Sequence, residues 1–153
     1  MTSFATLWTN HVGRSYVCDQ TTFGNQCAMR MGQALEESGI VLADKDLKRC
    51  SDYSAKFKDH KPGHIRSAQE LANVFYRTPR LLGAGVKTKL FDGSIDNNLG
   101  AFRNKKGMIF IMNGWGNTDH IDLWNGMLMQ LRGSANTAAY RQRGKQVWFW
   151  ELT

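Results

Sequence analysis

The sequence predicts an α+β fold, with helices in the first half of the chain and a mostly antiparallel sheet in the second. Two observations carry this prediction. Apolar residues recur at helical spacing in three segments before Pro79, whereas short apolar stretches separated by glycine follow it. The chain has 153 residues, of which 42% are apolar. That is enough for one packed core and little for two, so a single domain over residues 1–153 is expected.

Two helices are predicted in the N-terminal part. The first covers residues 3–12 and begins at Ser3, whose hydroxyl can accept a hydrogen bond from the first turn. The second begins near Cys27, where apolar residues start to recur at helical spacing, and it ends near Gly39. Glycine is typical just after a helix, because it adopts the left-handed backbone conformation without strain.

A third helix is predicted after a polar loop. Residues 43–63 are rich in charged side chains and contain Pro62, so we expect them to form the loop. Ser67 then begins the helix, and Glu70 three residues later completes a capping box ahead of an apolar stripe.

Five short strands are predicted after Pro79, within residues 85–91, 106–114, 120–124, 127–131 and 145–153. The second of these is continuously apolar from Met108 to Met112 and is expected to be buried. The third and fourth are expected to form a hairpin with a type I′ turn at Asn125-Gly126, since this dipeptide is a strong signal for that turn.

The net charge of +7 favours an anionic partner such as nucleic acid, an acidic lipid or a cell-wall polymer. The basic residues are scattered, so the charge does not choose among these classes. No apolar run is long enough for a membrane helix, and we expect no membrane insertion. The N-terminus lacks the pattern of a signal peptide, so we expect synthesis in the cytoplasm and export only by a dedicated machine.

The chain has three cysteines, Cys18, Cys27 and Cys50, without a C-x-x-C pair. This pattern argues against a zinc ribbon and a disulfide framework, and we expect neither a metal nor a cofactor. One disulfide can still form, and pairing Cys18 with Cys50 would leave Cys27 as a thiol. The sequence leaves that pairing open.

Cys27 is the candidate nucleophile, because a thiol at a helix N-terminus lies close to N–H groups that have no partner within the helix. Those groups favour the thiolate, and they can also stabilise the oxyanion that forms when sulfur attacks a carbonyl. The alternative is that Cys27 is a small packing residue in the core.

A thiol catalyst needs a base, and His120 is the best candidate. It follows a glycine-rich turn and begins a predicted strand. His60 and His64 flank Pro62 and Gly63, which rules out a helical metal-binding pair and indicates a solvated loop. His11 is expected at the surface or at a helix end. Cysteine early on a helix and histidine late on a strand is the order found in papain-like thiol enzymes.

Asp122 is the candidate for orienting the imidazole. Side chains alternate along a strand, so Asp122 shares a face with His120. With a two-residue turn, the positions opposite that face are all apolar: Met127, Met129 and Leu131. Asn136, beyond the hairpin, is the competitor, since an amide can orient a histidine equally well. An ordinary exposed strand residue is the alternative for Asp122.

Three segments together resemble the type VI secretion amidase effectors of the fourth family: "NQCAMRMGQAL", "NKKGMIFIMNGWGN" and "HIDLWNG". The resemblance implies a papain-like fold of the NlpC/P60 type that cuts the bond between D-glutamate and meso-diaminopimelate in peptidoglycan stem peptides. It makes Cys27 the nucleophile and His120 the general base. It also implies injection into rival bacteria, action in their periplasm and a cognate immunity protein.

The sequence departs from the family pattern at two positions. Leu131 stands where an aspartate follows the histidine by eleven residues, and Asp119 stands where glycine commonly precedes the histidine. The third catalytic role therefore falls to Asp122 or Asn136. The alternatives to an amidase are a thiol acyltransferase or protease with another substrate, and a basic nucleic-acid-binding module with an inert Cys27. With the amidase, no nucleic-acid partner is expected.

Overall fold

The computed structural model describes residues 2–50 and 63–153. Five helices are present among them: α1 (Phe4–Asn10), α2 (Cys27–Glu37), α3 (Ala68–Arg77), α4 (Leu99–Phe102) and α5 (Thr137–Arg141). The strands are β1 (Thr88–Asp92), β2 (Lys106–Trp115), β3 (Thr118–Asn125), β4 (Gln130–Leu131) and β5 (Gln146–Glu151). Short 3₁₀ turns cover Pro79–Leu82 and Asp96–Asn98.

The helix predictions are confirmed. Ser3 Oγ accepts a hydrogen bond from the backbone N–H of Thr6, and Ser67 Oγ accepts one from Glu70. Helix α2 begins at Cys27 and ends two residues before Gly39. The loop predicted over 43–63 falls mainly on residues 51–62, which lie outside the described part. Within the described part, no helix combines the length and the apolar character needed to cross a membrane.

The five strands form one antiparallel sheet in the order β1-β5-β2-β3-β4. The two faces of β2 are apolar and pack into different clusters. Met108 and Phe110 belong to the core beneath α1, α2 and α3, whereas Ile109 and Ile111 face the core that contains Phe102 of α4. Helices therefore cover both faces, and the α+β class is confirmed.

The type I′ hairpin predicted at Asn125-Gly126 is wrong. Trp124 pairs with Leu131 and Asn125 with Gln130, so four residues connect β3 to β4. Neither Asn125 nor Gly126 has the positive φ that a type I′ turn requires. Gly126 instead lies against the turn before β2: its N–H donates to the Lys105 carbonyl, and a Cβ there would collide with backbone oxygens. This close approach requires glycine.

A tighter hairpin joins β2 to β3 and brings the candidate histidine into place. Trp115 pairs with Thr118, and only two residues lie between them. The register shifts between Ile111 and Trp115, where Asn113 has a φ of 51°. His120 pairs with Ile111 in the middle of the sheet. It therefore sits on a strand that is held on one side by the longest strand of the fold.

Candidate active site

Cys27 is the first residue of α2, as the sequence predicts. Its side chain is almost completely buried, with 6% exposed, and it packs in the core shared by the helices and the sheet. The backbone N–H of Cys27 donates to the side-chain oxygen of Asn25 at 3.3 Å. The N–H groups of the next two residues cannot bond within the helix, because the first turn has no preceding carbonyls. The thiol thus lies at the positive end of α2.

Gln26, immediately before Cys27, holds the preceding loop with its buried amide. The amide oxygen accepts from the backbone N–H groups of Val17 and Cys18, at 2.8 and 3.2 Å. The amide nitrogen donates to the carbonyls of Cys18 and Phe23, at 2.8 and 3.1 Å. Gln26 is 1% exposed, so these four bonds replace its contacts with water. They fix the backbone directly before the thiol.

His120 and Asp122 lie two residues apart on β3, and their side chains meet. Nε2 of His120 is 2.8 Å from Oδ2 of Asp122. His120 is 6% exposed and Asp122 is completely buried. The next strand, β4, pairs only with Trp124 and Asn125, so this half of β3 is not paired with β4. His120 and Asp122 therefore lie at the edge of the sheet. The segment after β4 covers them there through Gly133 and Ser134.

Asp122 accepts further hydrogen bonds that compensate for its burial. Oδ1 accepts from the backbone N–H of Leu123 and of Gly133, each at 2.8 Å. The hydroxyl of Ser134 donates to Oδ2 at 3.1 Å and lies 3.1 Å from Nε2 of His120. A Cβ at Gly133 would lie 3.3 Å from both carboxylate oxygens. Glycine there allows the backbone to come close enough to donate.

The buried pair favours an imidazolium and a carboxylate. Burial opposes charge on His120, but its hydrogen bond to the Asp122 carboxylate and the interaction with Cys27 outweigh this effect and raise the pKa of His120 to about 10. Burial also opposes charge on Asp122, but the hydrogen bond and charge of His120 lower the pKa of that carboxyl. The Cys27 side chain is therefore close enough to the imidazole to favour its charged form.

His11 lies at a helix end, which is one of its two expected positions, but it is buried and not at the surface. It is at the C-terminal end of α1, 1% exposed, and its Nε2 lies 3.8 Å from Oδ1 of Asp122. Its Nδ1 accepts a hydrogen bond from the backbone N–H of Gly13 at 3.0 Å. Burial lowers the pKa of His11 to about 4, and the Asp122 charge opposes that shift only in part. His11 is therefore neutral near pH 7.

Three residues beside His120 were missed by the sequence analysis: Ser134, Trp115 and Tyr140. The ring of Tyr140 is 4.7 Å from the imidazole and that of Trp115 is 6.1 Å away, both edge to face. Burial, followed by the charges of Asp122 and Cys27, raises the pKa of Tyr140. Trp115 ends β2, Tyr140 lies in α5 and Ser134 lies between β4 and α5. None of them belongs to a distinctive local pattern, so no signal in the sequence marks these three.

A cavity of about 290 Å³ opens next to the imidazole. Its lining consists of Asn25, Trp115, Thr118, Asp119, His120 and Tyr140. The guanidinium of Arg143 lies over the Trp115 ring at 5.5 Å from its centre and is exposed. Asp119, at the position where the family pattern has glycine, lines the cavity and accepts from the backbone N–H of Asn113. The site thus combines the hydrogen-bonded pair of His120 and Asp122 with a small open cavity and the nearby guanidinium of Arg143.

Asn136, the competitor for the orienting role, is placed elsewhere. Its side-chain oxygen accepts from the backbone N–H of Ala139 and caps α5, and the residue is exposed. The structure therefore brings together Cys27, His120 and Asp122, and not Asn136.

The other two cysteines form a separate cluster. Cys18 and Cys50 are buried thiols, with sulfur atoms 3.9 Å apart and no disulfide between them. The expectation of a solvated loop at His64 is wrong, because this residue is half-buried beside Cys50. The expectation for His60 lies outside the described residues.

Comparison with known proteins identifies the family and the fold of the chain. The family model for the type VI secretion system (T6SS) amidase effector protein 4, Tae4, matches residues 23–150. No curated protein sequence matches the chain. Among solved structures, Tae4 of Salmonella typhimurium, from an effector–immunity system with Tai4, is 20% identical, with a TM-score of 0.70 over 100% of this chain and 99% of that one. Tae4 of Enterobacter cloacae is 16% identical, with a TM-score of 0.67 over 100% and 98%. These structures confirm the papain-like α+β fold.

Proposed function

The chain belongs to the Tae4 family of type VI secretion system amidase effectors, and on that basis we propose that it hydrolyses the D-glutamate–meso-diaminopimelate bond of peptidoglycan stem peptides with Cys27 as nucleophile. One observation carries the mechanism. Cys27 begins a helix beside His120, whose Nε2 is bound by the buried carboxylate of Asp122. Family membership favours this function over acyl transfer to another substrate and over nucleic-acid binding with an inert Cys27.

The hydrogen bonds on Nε2 decide which ring nitrogen of His120 exchanges a proton with the thiol. Asp122 and Ser134 both lie within hydrogen-bond distance of Nε2. Nδ1 is then the nitrogen that takes the proton of Cys27, and Asp122 stabilises the imidazolium that results. Because the pKa of His120 is raised to about 10, the imidazolium persists at neutral pH. It is therefore available to donate its proton later in the reaction.

The thiolate of Cys27 attacks the amide carbonyl, and a carbon–sulfur bond forms as the carbonyl oxygen takes the negative charge. We assign the backbone N–H groups at the start of α2, which have no partner within the helix, as donors to this oxyanion. The imidazolium of His120 gives its proton to the amine as the carbon–nitrogen bond breaks. Neutral His120 then removes a proton from water, the hydroxide attacks the thioester, and the carboxylic acid leaves as the thiol is restored.

The cavity beside His120 supports a peptide substrate with anionic groups. Stem peptides carry free carboxylates, and the exposed guanidinium of Arg143 lies next to the cavity wall formed by Trp115. Arginine binds a carboxylate through two parallel hydrogen bonds. We assign Arg143 to a substrate carboxylate and Trp115 to contact with the peptide chain. The net charge of +7 also favours approach to an anionic wall polymer.

We base the proposed partner and the proposed place of action on the same family. The Salmonella typhimurium Tae4 structures contain the immunity protein Tai4. For this chain we propose a cognate immunity protein that covers the cavity at His120 and so keeps substrate from Cys27. A type VI effector is delivered into target cells. We place the action of this one in the periplasm of the target cell, where peptidoglycan lies, and assign residues 1–153 to a single catalytic domain.

Digestion of purified Gram-negative sacculi, followed by mass spectrometry of the fragments, tests the proposal. The wild-type protein is expected to release new amino termini on diaminopimelate and new carboxyl termini on D-glutamate. Cys27→Ala is expected to release none above background, and its unchanged melting temperature serves as the folding control. Release of fragments by Cys27→Ala at the wild-type rate contradicts the proposal.

The same fragments separate hydrolysis from its alternatives. Acyl transfer would give a new amide when an amine acceptor is added, instead of a new carboxyl group. Cleavage at a different bond would preserve the thiol mechanism and overturn only the substrate assignment. A trapped thioester or an alkylated sulfur on Cys27 identifies the nucleophile independently of the bond that is cut.

A further inference from the structure

A cluster of soft ligand atoms lies outside the proposed catalytic residues. The sulfur atoms of Cys18 and Cys50 and a ring nitrogen of His64 all lie within 4.8 Å of one another. Cys18 is completely buried and Cys50 is 6% exposed. These residues come from two separate loops, one before α2 and the other before α3. Their meeting is therefore a product of the fold and not of a local sequence motif.

Two of the three interatomic distances match those between the ligands of a tetrahedral metal ion, and the third, between Cys18 and His64, is within 4.8 Å. The two sulfurs are 3.9 Å apart, and Sγ of Cys50 is 3.8 Å from Nδ1 of His64. Zinc bonds of about 2.3 Å to sulfur and 2.0–2.1 Å to nitrogen, at tetrahedral angles, place two sulfurs about 3.8 Å apart and a sulfur and a nitrogen about 3.6 Å apart. The observed sulfur–sulfur distance is nearly twice the roughly 2.05 Å of a disulfide.

Neighbouring groups orient the ligands for this role. Nε2 of His64 lies 2.9 Å from the side-chain oxygen of Gln33. An amide oxygen can only accept, so Nε2 carries the proton and Nδ1 presents its lone pair on the side of Cys50. The backbone N–H of His64 donates to Sγ of Cys50 at 3.2 Å, which holds this sulfur beside the His64 backbone. The backbone of Cys50 also donates to the His64 carbonyl, which fixes the two residues opposite each other.

We propose that Cys18, Cys50 and His64 bind one structural Zn²⁺ ion, with a solvent molecule or a further donor as the fourth ligand. Two thiolates and an imidazole suit this ion, whereas Mg²⁺ and Ca²⁺ take oxygen ligands. Binding needs no oxidant or reductant, because both thiols only lose their protons.

The site has a structural consequence for the proposed nucleophile. Cys18 is held at both its N–H and its carbonyl by the amide of Gln26, the residue before Cys27. A metal at Cys18 and Cys50 would connect the loop before α2 to the loop before α3. Zinc would then stabilise the backbone that presents Cys27, although no ligand touches the reacting atoms.

Metal titration of the reduced, metal-free full chain tests the proposal in the Cys27→Ala background, where Cys18 and Cys50 are the remaining thiols. One Zn²⁺ per chain with a Kd of about 1 μM or tighter is expected, with a rise in melting temperature. Co²⁺ should give a thiolate-to-metal charge-transfer band that Zn²⁺ removes. Because this variant lacks the nucleophile, the result does not depend on the proposed amidase activity.

Substitutions identify the ligands. Cys18→Ser, Cys50→Ser and His64→Gln should each weaken Zn²⁺ binding at least tenfold, whereas the unsubstituted chain should bind as Cys27→Ala does. If a serine variant does not fold, the Zn²⁺ affinity of His64→Gln and the Co²⁺ charge-transfer band of Cys27→Ala test the proposal in its place. The absence of the charge-transfer band, or equal affinity in all variants, overturns the proposal. So does loss of two hydrogen masses on mild oxidation in a chain that does not bind zinc, since that identifies the pair as a disulfide former.

Discussion

Two histidines lie beside Asp122, one at the end of α1 and one on β3, and their pKa values move in opposite directions. Both are buried, and burial alone lowers the pKa of each. His120 lies 2.8 Å from the carboxylate, and its pKa rises to about 10. His11 lies 3.8 Å away, and its pKa falls to about 4. A direct hydrogen bond, and not proximity alone, thus determines which imidazole is charged.

The strongest test of this contrast is to exchange each histidine for glutamine. His120→Gln removes the proposed base and acid and should lower the rate of stem-peptide hydrolysis by about 1,000-fold or more. His11→Gln should lower it by less than about tenfold, because a neutral neighbour of Asp122 contributes no proton. Initial rates on a soluble stem peptide, measured at matched folded fractions, check this. Equal losses in the two variants would contradict the assignment of separate roles.

Substitution of Asp122 removes the group that both histidines share. Asp122→Asn should reduce the rate about 100-fold or more, since the amide no longer stabilises the imidazolium. It should also lower the pKa of His120. The alkaline limb of the pH–rate profile should therefore move to lower pH. The matched control is Asn136→Ala, which removes the cap of α5 at a cost of about 1 kcal/mol and should leave the rate near wild type. A loss in the control as large as in Asp122→Asn would restore Asn136 as a candidate.

The pH dependence of stability separates the two histidines without any activity measurement. The pKa of His11 falls from 6.5 in the unfolded chain to about 4, so its stabilisation is complete above pH 6.5 and is lost as the pH falls through 4. The loss amounts to about 3 kcal/mol. The contribution of His120 is instead complete below pH 6.5 and is lost as the pH rises through about 10.

Urea unfolding at a series of pH values measures both windows. His11→Gln should flatten the curve between pH 6.5 and 4 and leave the alkaline side unchanged. If this variant keeps the full acid loss, another group is responsible and the neutral state of His11 is wrong.

The smallest effect is expected at Ser134. Its hydroxyl lies 3.1 Å from both Nε2 of His120 and Oδ2 of Asp122. Ser134→Ala should lower the rate about threefold to tenfold, and it should also shift the alkaline limb of the pH–rate profile, because one hydrogen bond of the pair is lost. Ser94→Ala removes a buried hydroxyl that bonds to Asn97 and serves as the control. An unshifted profile in Ser134→Ala would reduce its role to packing.

Local sequence is enough to predict the residues that depend on local geometry. A helix start places Cys27, and the two-residue period of a strand places His120 and Asp122 on one face. Cys27 and His120 are far apart along the chain, and the packing of α2 on the sheet brings them together. The apolar strands of that sheet are predictable from the sequence. The resemblance to the amidase effectors added the order of the segments, and the structure brings these three residues together.

Residues that act through long-range packing could not be predicted in this way. His11 reaches Asp122 because α1 packs on α2, and no feature near His11 indicates this. The Asn125-Gly126 dipeptide has the sequence of a tight turn, but the contact of Gly126 with Lys105 determines its conformation. The cluster of Cys18, Cys50 and His64 likewise depends on two loops that meet only after folding.

The amide of Gln26 gives the chain before Cys27 a fixed length. Its oxygen and nitrogen together bond to Val17, Cys18 and Phe23, so residues 17–26 form a closed ring of set size. Inserting or deleting one residue in this ring would displace Val17 and Cys18 relative to Gln26 and break bonds at its amide. Glutamate has the same shape but cannot donate, and it would lose both bonds to carbonyls. Homologues that keep this mode of presenting the thiol should therefore conserve the spacing between Cys18 and Cys27 more strictly than the residues within it.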